Sequence, residues 1–429
     1  MAGRIAEAAL LLALFALHLL SFGRMEGPLH GPLEAFDQDS TYLLRGLAAG
    51  EFYRWNPQNH LLYHVLVESG FRAWEMLFGP GLESAFRYLK LFTAVSGFLF
   101  LWAMRWLLVE LGLALIPRLV LLFLTGISVS VWFHAAAFET HCIGLAPLAV
   151  YLRSLVRLRA GAPRTPLDRA LFVGSLAVMG WTRVDLFRFA VVSSLLLVVP
   201  ALRSAWRRIG ADLGVAALIA VAGCGILAAI YFEVPFHHAM PTVLERRDRP
   251  WLKQQLSQVE NLTPPNLARV ARATTFYSMM MPIAGQPPDR GFFAPPTYVM
   301  GVEWPRDEAL SARLFSKSLR NVLGNGLALF VALGLAGFFA VTAVASVRGA
   351  ARGDPLHVVL LGQVIAGWLL YTWFDPWEPF LWVVEFLPLW VVLFADWLRG
   401  RGAGALIATA VLSAALALHN WHAFYLPFR

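Results

Sequence analysis

VLGNGLALFVALGLAGFFAVTAVAS, residues 322–346, runs the length of a membrane crossing without one charged side chain. A helix needs about 20 apolar residues to cross the hydrocarbon layer, and only a segment that bonds its own backbone is stable there. The stretch reads as a transmembrane helix and sets the class of everything around it. The bulk composition agrees: of 429 residues, 58% are hydrophobic and 14% charged, where a soluble domain carries roughly a quarter charged. The net charge of +8 comes from arginines placed between apolar runs, a topology signal and not a nucleic-acid surface. Cys142 and Cys224 both lie inside apolar runs, so no disulfide framework is implied.

Outward from 322–346, further apolar runs occupy 5–22, 84–108, 114–133, 136–157, 169–182, 184–202, 212–232, 356–373, 380–398 and 403–420. The expectation is an all-α polytopic bundle of about eleven spans, one transmembrane domain over 1–429. The pair 169–182 and 184–202 is the weakest, the first being short and Arg183, Asp185 and Arg188 interrupting the two. The first run, with Arg4 ahead of it, resembles a signal peptide, but LLSFGRM offers no small-residue cleavage site and an anchor is expected. With the N-terminus inside, every short arginine-rich connection falls on one side: Arg105 and Arg118; Arg153 to Arg169; Arg203 to Arg208; Arg348 and Arg352; Arg399 and Arg401. The C-terminus is then outside. Two long connections, 23–83 and 233–320, become outer loops with short helices.

This topology collects the polar groups on the outer face. Asp37 and Asp39 stand two apart, so in an extended segment they point opposite ways. Asp39 or Ser40 fits a cap on TYLLRGLAAG, which Gly50 would end; the alternative is a carboxylate that takes a proton from an attacking hydroxyl. In VWFHAAAFETH, residues 131–141, His134, Glu139 and His141 make no tidy metal motif. Glu139 reads either as an acidic first turn or as a carboxylate reaching a divalent cation or a substrate hydroxyl. Asp375 and Glu378 form a Pro-containing outer turn among Trp373, Trp377, Trp382 and Trp390. Such rings serve an aromatic belt or stack on a sugar. Glu385 sits deeper, where an unpaired charge is costly, and Arg183, Arg188 and Lys90 are its candidate partners; as cations near the outer face they equally suit a lipid phosphate. The Met run 279–281 reads as a packed face, and Asn261-Leu262-Thr263 matches a glycosylation tripeptide.

One span, then an outer loop with an acidic residue and a Tyr, a small-residue turn and N-P-x-x-H-x-L-Y, resembles the polytopic GT-C glycosyltransferases, including bacterial relatives of the protein O-mannosyltransferases. The matching positions are Asp37 or Asp39, Tyr42, Gly50, Pro57, His60 and Tyr63. VWFHAAAFETHCIGLAPLAVYL resembles the segment whose acidic residue opens the fourth span, here Glu139, and FDPWEPFLWVVEFLPLWVVL a late span behind an acidic turn. The resemblance implies transfer of a sugar from a polyprenyl-phosphate carrier to a lipid, glycan or protein acceptor at the outer face of a bacterial cell membrane. Asp37 or Asp39 would be the base. Glu139 and His60 would position the acceptor or a divalent cation, with no other cofactor required. Tyr42, His134, Asp375 and Glu378 would bind substrate, and Arg183 or Lys90 the donor phosphate. The rival expectation is a transporter or flippase for a lipid-linked or small anionic solute, which predicts broken or charged helices at mid-membrane.

Overall fold

The computed structural model describes residues 2–25, 44, 46–50, 61–136, 141–160, 165–231, 258–280, 326–374 and 383–422. Among these residues every regular element is a helix. In chain order they are α1 Ala2–Met25, α2 Leu61–Phe78, α3 Leu82–Glu110, α4 Leu115–Ile127, α5 Val129–His134, α6 Leu145–Arg159, α7 Pro166–Thr182, α8 Arg188–Ser193, α9 Trp206–Tyr231, α10 Pro264–Met279, α11 Gly326–Ala351, α12 Pro355–Phe374, α13 Phe386–Arg399 and α14 Ala403–Asn420. Six stretches are long and apolar enough to cross a membrane: Ala2–Ser21, Leu82–Glu110, Trp206–Leu227, Gly326–Ala351, Pro355–Trp373 and Ala403–Asn420. They match the expected runs at 5–22, 84–108, 212–232, 322–346, 356–373 and 403–420. Among the described residues the chain is all-helical, and its composition and helix lengths are those of a multi-pass membrane protein.

The other five runs hold shorter pieces, and the reasons are local. The run 114–133 breaks at Ser128, whose backbone is extended (φ −61°, ψ 133°) between α4 and α5. A break inside apolar surroundings strands carbonyls, and side chains from distant helices take them up. His18 of α1 lies 2.9 Å from the Gly126 carbonyl, and Asn420 of α14 donates to Ile127 O at 2.9 Å and Met279 O at 2.7 Å. Ser130 adds a bond to Ser278 O, 2.6 Å. The run 184–202 is a chain of short turns: Val184–Phe187, α8, Ser194–Leu197 and Pro200–Leu202. Pro200 and the extended Arg183 keep it from continuing α7. Helix α7 itself starts sharply, because Thr165 and Asp168 form a reciprocal capping box with Pro166 at the first position.

One apolar core fills the bundle. Helix α3 packs on α6 and α1, α7 bridges α6 and α9, and α11 joins α12, α13 and α14. Trp181 lies in the groove of α9, its indole N–H donating to Ala220 O at 3.0 Å; Gly223 leaves the room, since a β-carbon there would fall 2.3 Å from the indole. A second, smaller core joins α2, the start of α3, and residues 129–136 through Tyr63, Phe71, Tyr88, Trp132 and Phe133.

The basic connections all meet at one end, and ion pairs tie them together. Glu7 of α1 bonds Arg105 and Arg118 at 2.7 Å each. Glu110 and Asp168 hold Arg153 and Arg157, and Arg153 lies flat over Trp106 at 3.8 Å. Asp212 takes Arg169 at 2.7 Å. Arg159 bridges Asp354 at 2.8 Å and Asp396 at 2.6 Å. The ends of α1, α3, α4, α6, α7, α9, α12 and α13 are thus fastened in one layer, as the arginine pattern requires of connections on a common side.

Candidate functional site

At the opposite end, α7, α12 and α13 bring a second polar group together within the fold. Arg183 follows the last turn of α7, Tyr371 stands in the last turn of α12, and Glu385 closes the turn Val383–Glu385 that leads into α13. Arg183 spans two carboxylates, Asp185 at 2.5 Å and Glu385 at 2.5 Å. Arg188 holds the other oxygen of Glu385 at 2.7 Å. The Tyr371 hydroxyl lies 2.7 Å from Asp185 and 2.8 Å from Glu385, donating to one at a time, and accepts from Arg188. Two cations meet two anions about a phenol, so the group is neutral as a whole.

Burial separates it from an ordinary surface network. The side chains of Arg183 and Glu385 are each 1% exposed, while Asp185 reaches solvent at 23%. Charges this deep are stable only when each is paired and hydrogen-bonded, and this arrangement supplies both. The folded-back path of 183–197 follows from it: α8 stays beside α12 because Gln363 donates to Phe189 O at 3.1 Å. Tyr151 and Ser193 share a bond at 2.7 Å that holds α8 to α6.

The elements around this cluster are those that flank the other outer polar stretches. Helix α5, ending in His134, packs against the turn that carries Glu385. The His134 and His141 rings are 5.0 Å apart, both buried, so the two ends of the connection that carries Glu139 are close together. Helix α10 lies across α5, α12, α13 and the Glu385 turn. Its start is capped by Thr263, which accepts from the Asn266 N–H, and Asn261 donates to Trp373 O at 3.2 Å. The tripeptide Asn261–Thr263 is thereby occupied in folding α10 onto α12. Met279 and Met280 are buried in the main core, the packed face expected of the Met run.

Of the expected site residues, the described part of the structure contains Lys90, His134 and Arg183. Lys90 is half-buried on α3, in the turn that also carries Tyr88 and Leu89 of the smaller core. The expected pairing of Glu385 with Arg183 and Arg188 is present. With Lys90 it is not among the ion pairs of the cluster. Arg183 has its fork on Asp185 and Glu385, so it orders those carboxylates and is closed to a phosphate in this arrangement. Asp37, Asp39, Tyr42, His60, Glu139, Asp375 and Glu378 lie outside the described residues. Among the described residues no three His, Cys, Asp or Glu side chains are grouped to hold a metal. Sequence reasoning missed Tyr371 as the hinge of the cluster; its signal was a hydroxyl fourteen residues ahead of Glu385, near the end of an apolar run. His18 and Asn420 were also missed, both polar groups inside spans. Comparison with protein-family models and with curated proteins found no match for this chain.

Proposed function

We propose that the chain is an inverting glycosyltransferase of the GT-C type, with about eleven membrane passes, its N-terminus cytoplasmic and its C-terminus extracytoplasmic. It moves one sugar from a polyprenyl-phosphate carrier to a lipid, glycan or protein acceptor at the extracytoplasmic face. The observation that supports this reading is convergence. The short elements flanking Glu139, and those flanking Asp375 and Glu378, pack together under α10 at the end of the bundle away from the basic layer. Asp37 or Asp39 is the base, Glu139 and His60 place the acceptor or a divalent cation, and Tyr42, His134, Asp375 and Glu378 line the sugar. Lys90 takes the donor phosphate. Arg183 and Arg188 position the approach through Asp185 and Glu385. A buried, charge-paired cluster suits that role because it fixes three chain segments in one register.

General base catalysis contributes about 10²–10⁴ in rate. Asp37→Asn or Asp39→Asn is accordingly expected to cut transfer of labelled sugar from a polyprenyl-phosphate donor in isolated membranes by at least about 10²-fold. Undiminished transfer in both single variants and in the double removes the base role. A second reading has its own support. The extended Ser128 breaks a span between α4 and α5, and discontinuous helices at mid-membrane are where transporters bind cargo. Uptake of a lipid-linked or small anionic solute into proteoliposomes, with no covalent product, would select the transporter or flippase. The carbonyls at this break are already met by His18 and Asn420, which favours the enzyme.

A further inference from the structure

The basic end carries a cavity that the ion-pair layer does not fill. It has a volume of about 830 Å³ and opens between the last turns of α11 and α13. Arg348 in the last turn of α11 and Arg352 just past it edge it on one side, and Arg399 at the end of α13 with Arg401 in the turn beyond on the other. Deeper in, its wall is apolar: Val341, Val344 and Trp397. One carboxylate, Asp396, lines it too; it pairs with Arg159 at 2.6 Å, a cation it shares with Asp354, and faces His357 at 3.3 Å.

The arginines of this cavity differ from the rest of the layer. Arg105, Arg118, Arg153, Arg157, Arg159 and Arg169 each pair with a carboxylate. Among the described residues Arg348, Arg352 and Arg401 pair with none, and Arg401 lies over the Trp397 ring at 4.9 Å. Arg399 donates to the Leu111 carbonyl at 3.2 Å and stays 3.9 Å from Asp396. Three guanidinium groups with no carboxylate partner among the described residues thus edge a hollow whose one carboxylate, Asp396, is held by Arg159, at the level where short basic connections mark the membrane surface. Guanidinium forks suit phosphate oxygens, and basic pockets between transmembrane helices at that level take anionic lipid head groups. The apolar wall favours a ligand with tails over a free anion: Val344 and Val347, on the outward side of α11, are half or more exposed.

We infer that this cavity binds one anionic phospholipid, its phosphate between Arg348, Arg352 and Arg401 and its acyl chains along Val341 and Val344. The inference is independent of the reaction the protein carries out. Purified protein would be titrated with phosphatidylglycerol, phosphatidylcholine and inorganic phosphate, bound lipid being counted by native mass spectrometry. Wild type is expected to retain phosphatidylglycerol at least tenfold more tightly than phosphatidylcholine and to be unmoved by inorganic phosphate. Arg348→Gln with Arg352→Gln and Arg401→Gln is expected to lose that preference to within twofold. Arg207→Gln with Arg208→Gln, two exposed arginines elsewhere on the basic end, keeps it. If the triple variant does not fold, Val344→Trp fills the apolar wall with every arginine intact and is expected to lower retention at least fivefold. Equal retention of the two lipids by wild type, full retention by the triple variant or by Val344→Trp, the same loss in the Arg207 and Arg208 variant, or saturation by inorganic phosphate alone would each overturn the site.

Discussion

The two polar ends of the bundle solve the same electrostatic problem in opposite ways. At the basic end most carboxylates are sunk deeper than their arginines: Glu7 is 2% exposed while its partners Arg105 and Arg118 are 27% and 19%, Arg153 at 6% against Glu110 at 27% being the exception. An arginine stem can lie along apolar surface with its head in water, so a cation that loses its carboxylate there has somewhere to go. At the opposite end Arg183 and Glu385 are both 1% exposed and Arg188 is 7%. A cation that loses its carboxylate there is stranded. The first layer tolerates change and serves to orient and fasten helix ends. The second fixes α7, α12 and α13 in one arrangement and fails as a unit.

Glu385→Leu tests the difference most severely. Removing one partner of a buried ion pair costs about 3–5 kcal/mol, and here two arginines are left. Unfolding of the purified protein in detergent is expected to show a loss of that size, against about 1 kcal/mol for Glu7→Leu, whose partners can turn to water. Equal losses at the two positions would erase the contrast. Adding Arg183→Met and Arg188→Met to Glu385→Leu is expected to regain most of the stability, since apolar replacement of a whole buried ion cluster is often near neutral.

A middle case sharpens the comparison, because it is polar, buried and uncharged. Asn420 serves two carbonyls at the Ser128 break. Asn420→Leu leaves both without a donor and is expected to cost about 1–3 kcal/mol, between the two ion-pair variants. Asn420→Gln, which can reach at least one carbonyl, is expected to keep part of that. A cost below that of Glu7→Leu would mean the break is carried by other contacts.

Legibility in the sequence followed the same physics. The six long spans were readable because hydrocarbon imposes length and apolarity on each helix by itself. The grouping of the arginine connections at one end was readable for a similar reason: the charge bias is summed along the chain and needs no partner. Glu385 was flagged because a lone acid in LWVVEFLPLW has no local remedy, and Arg183, Arg188 and Lys90 were the cations of suitable topology. The break at Ser128 left no mark in 114–133, since the residues that permit it, His18 and Asn420, stand 108 and 293 positions from the carbonyls they serve. The turn-by-turn course of 184–202 was hidden likewise, its cause being Tyr371 and Glu385 on other helices. Asp37, Asp39 and Glu139, on which the proposed chemistry rests, were chosen from the sequence and lie outside the described residues.

The smallest effect separates the two ends by pH. Asp168 belongs to the basic layer, in the first turn of α7. Burial alone would raise its carboxyl, but the Thr165 hydroxyl and backbone N–H, with Arg157 and Arg153 nearby, outweigh that and hold it below the usual carboxylate value. A group depressed in the folded state stabilises fully above its unfolded value, where both states are ionised. As pH falls below about 4, the unfolded chain takes up the proton first and the stabilisation shrinks. It is gone once the folded group is protonated as well. Asp168→Asn keeps a side-chain oxygen for the cap but has no proton to take up. The variant is expected to lose about 1 kcal/mol at pH 7 and to show a flatter acid limb in unfolding measured between pH 7 and 3. An acid limb as steep as wild type would assign that slope to other carboxylates and leave Asp168 a cap alone.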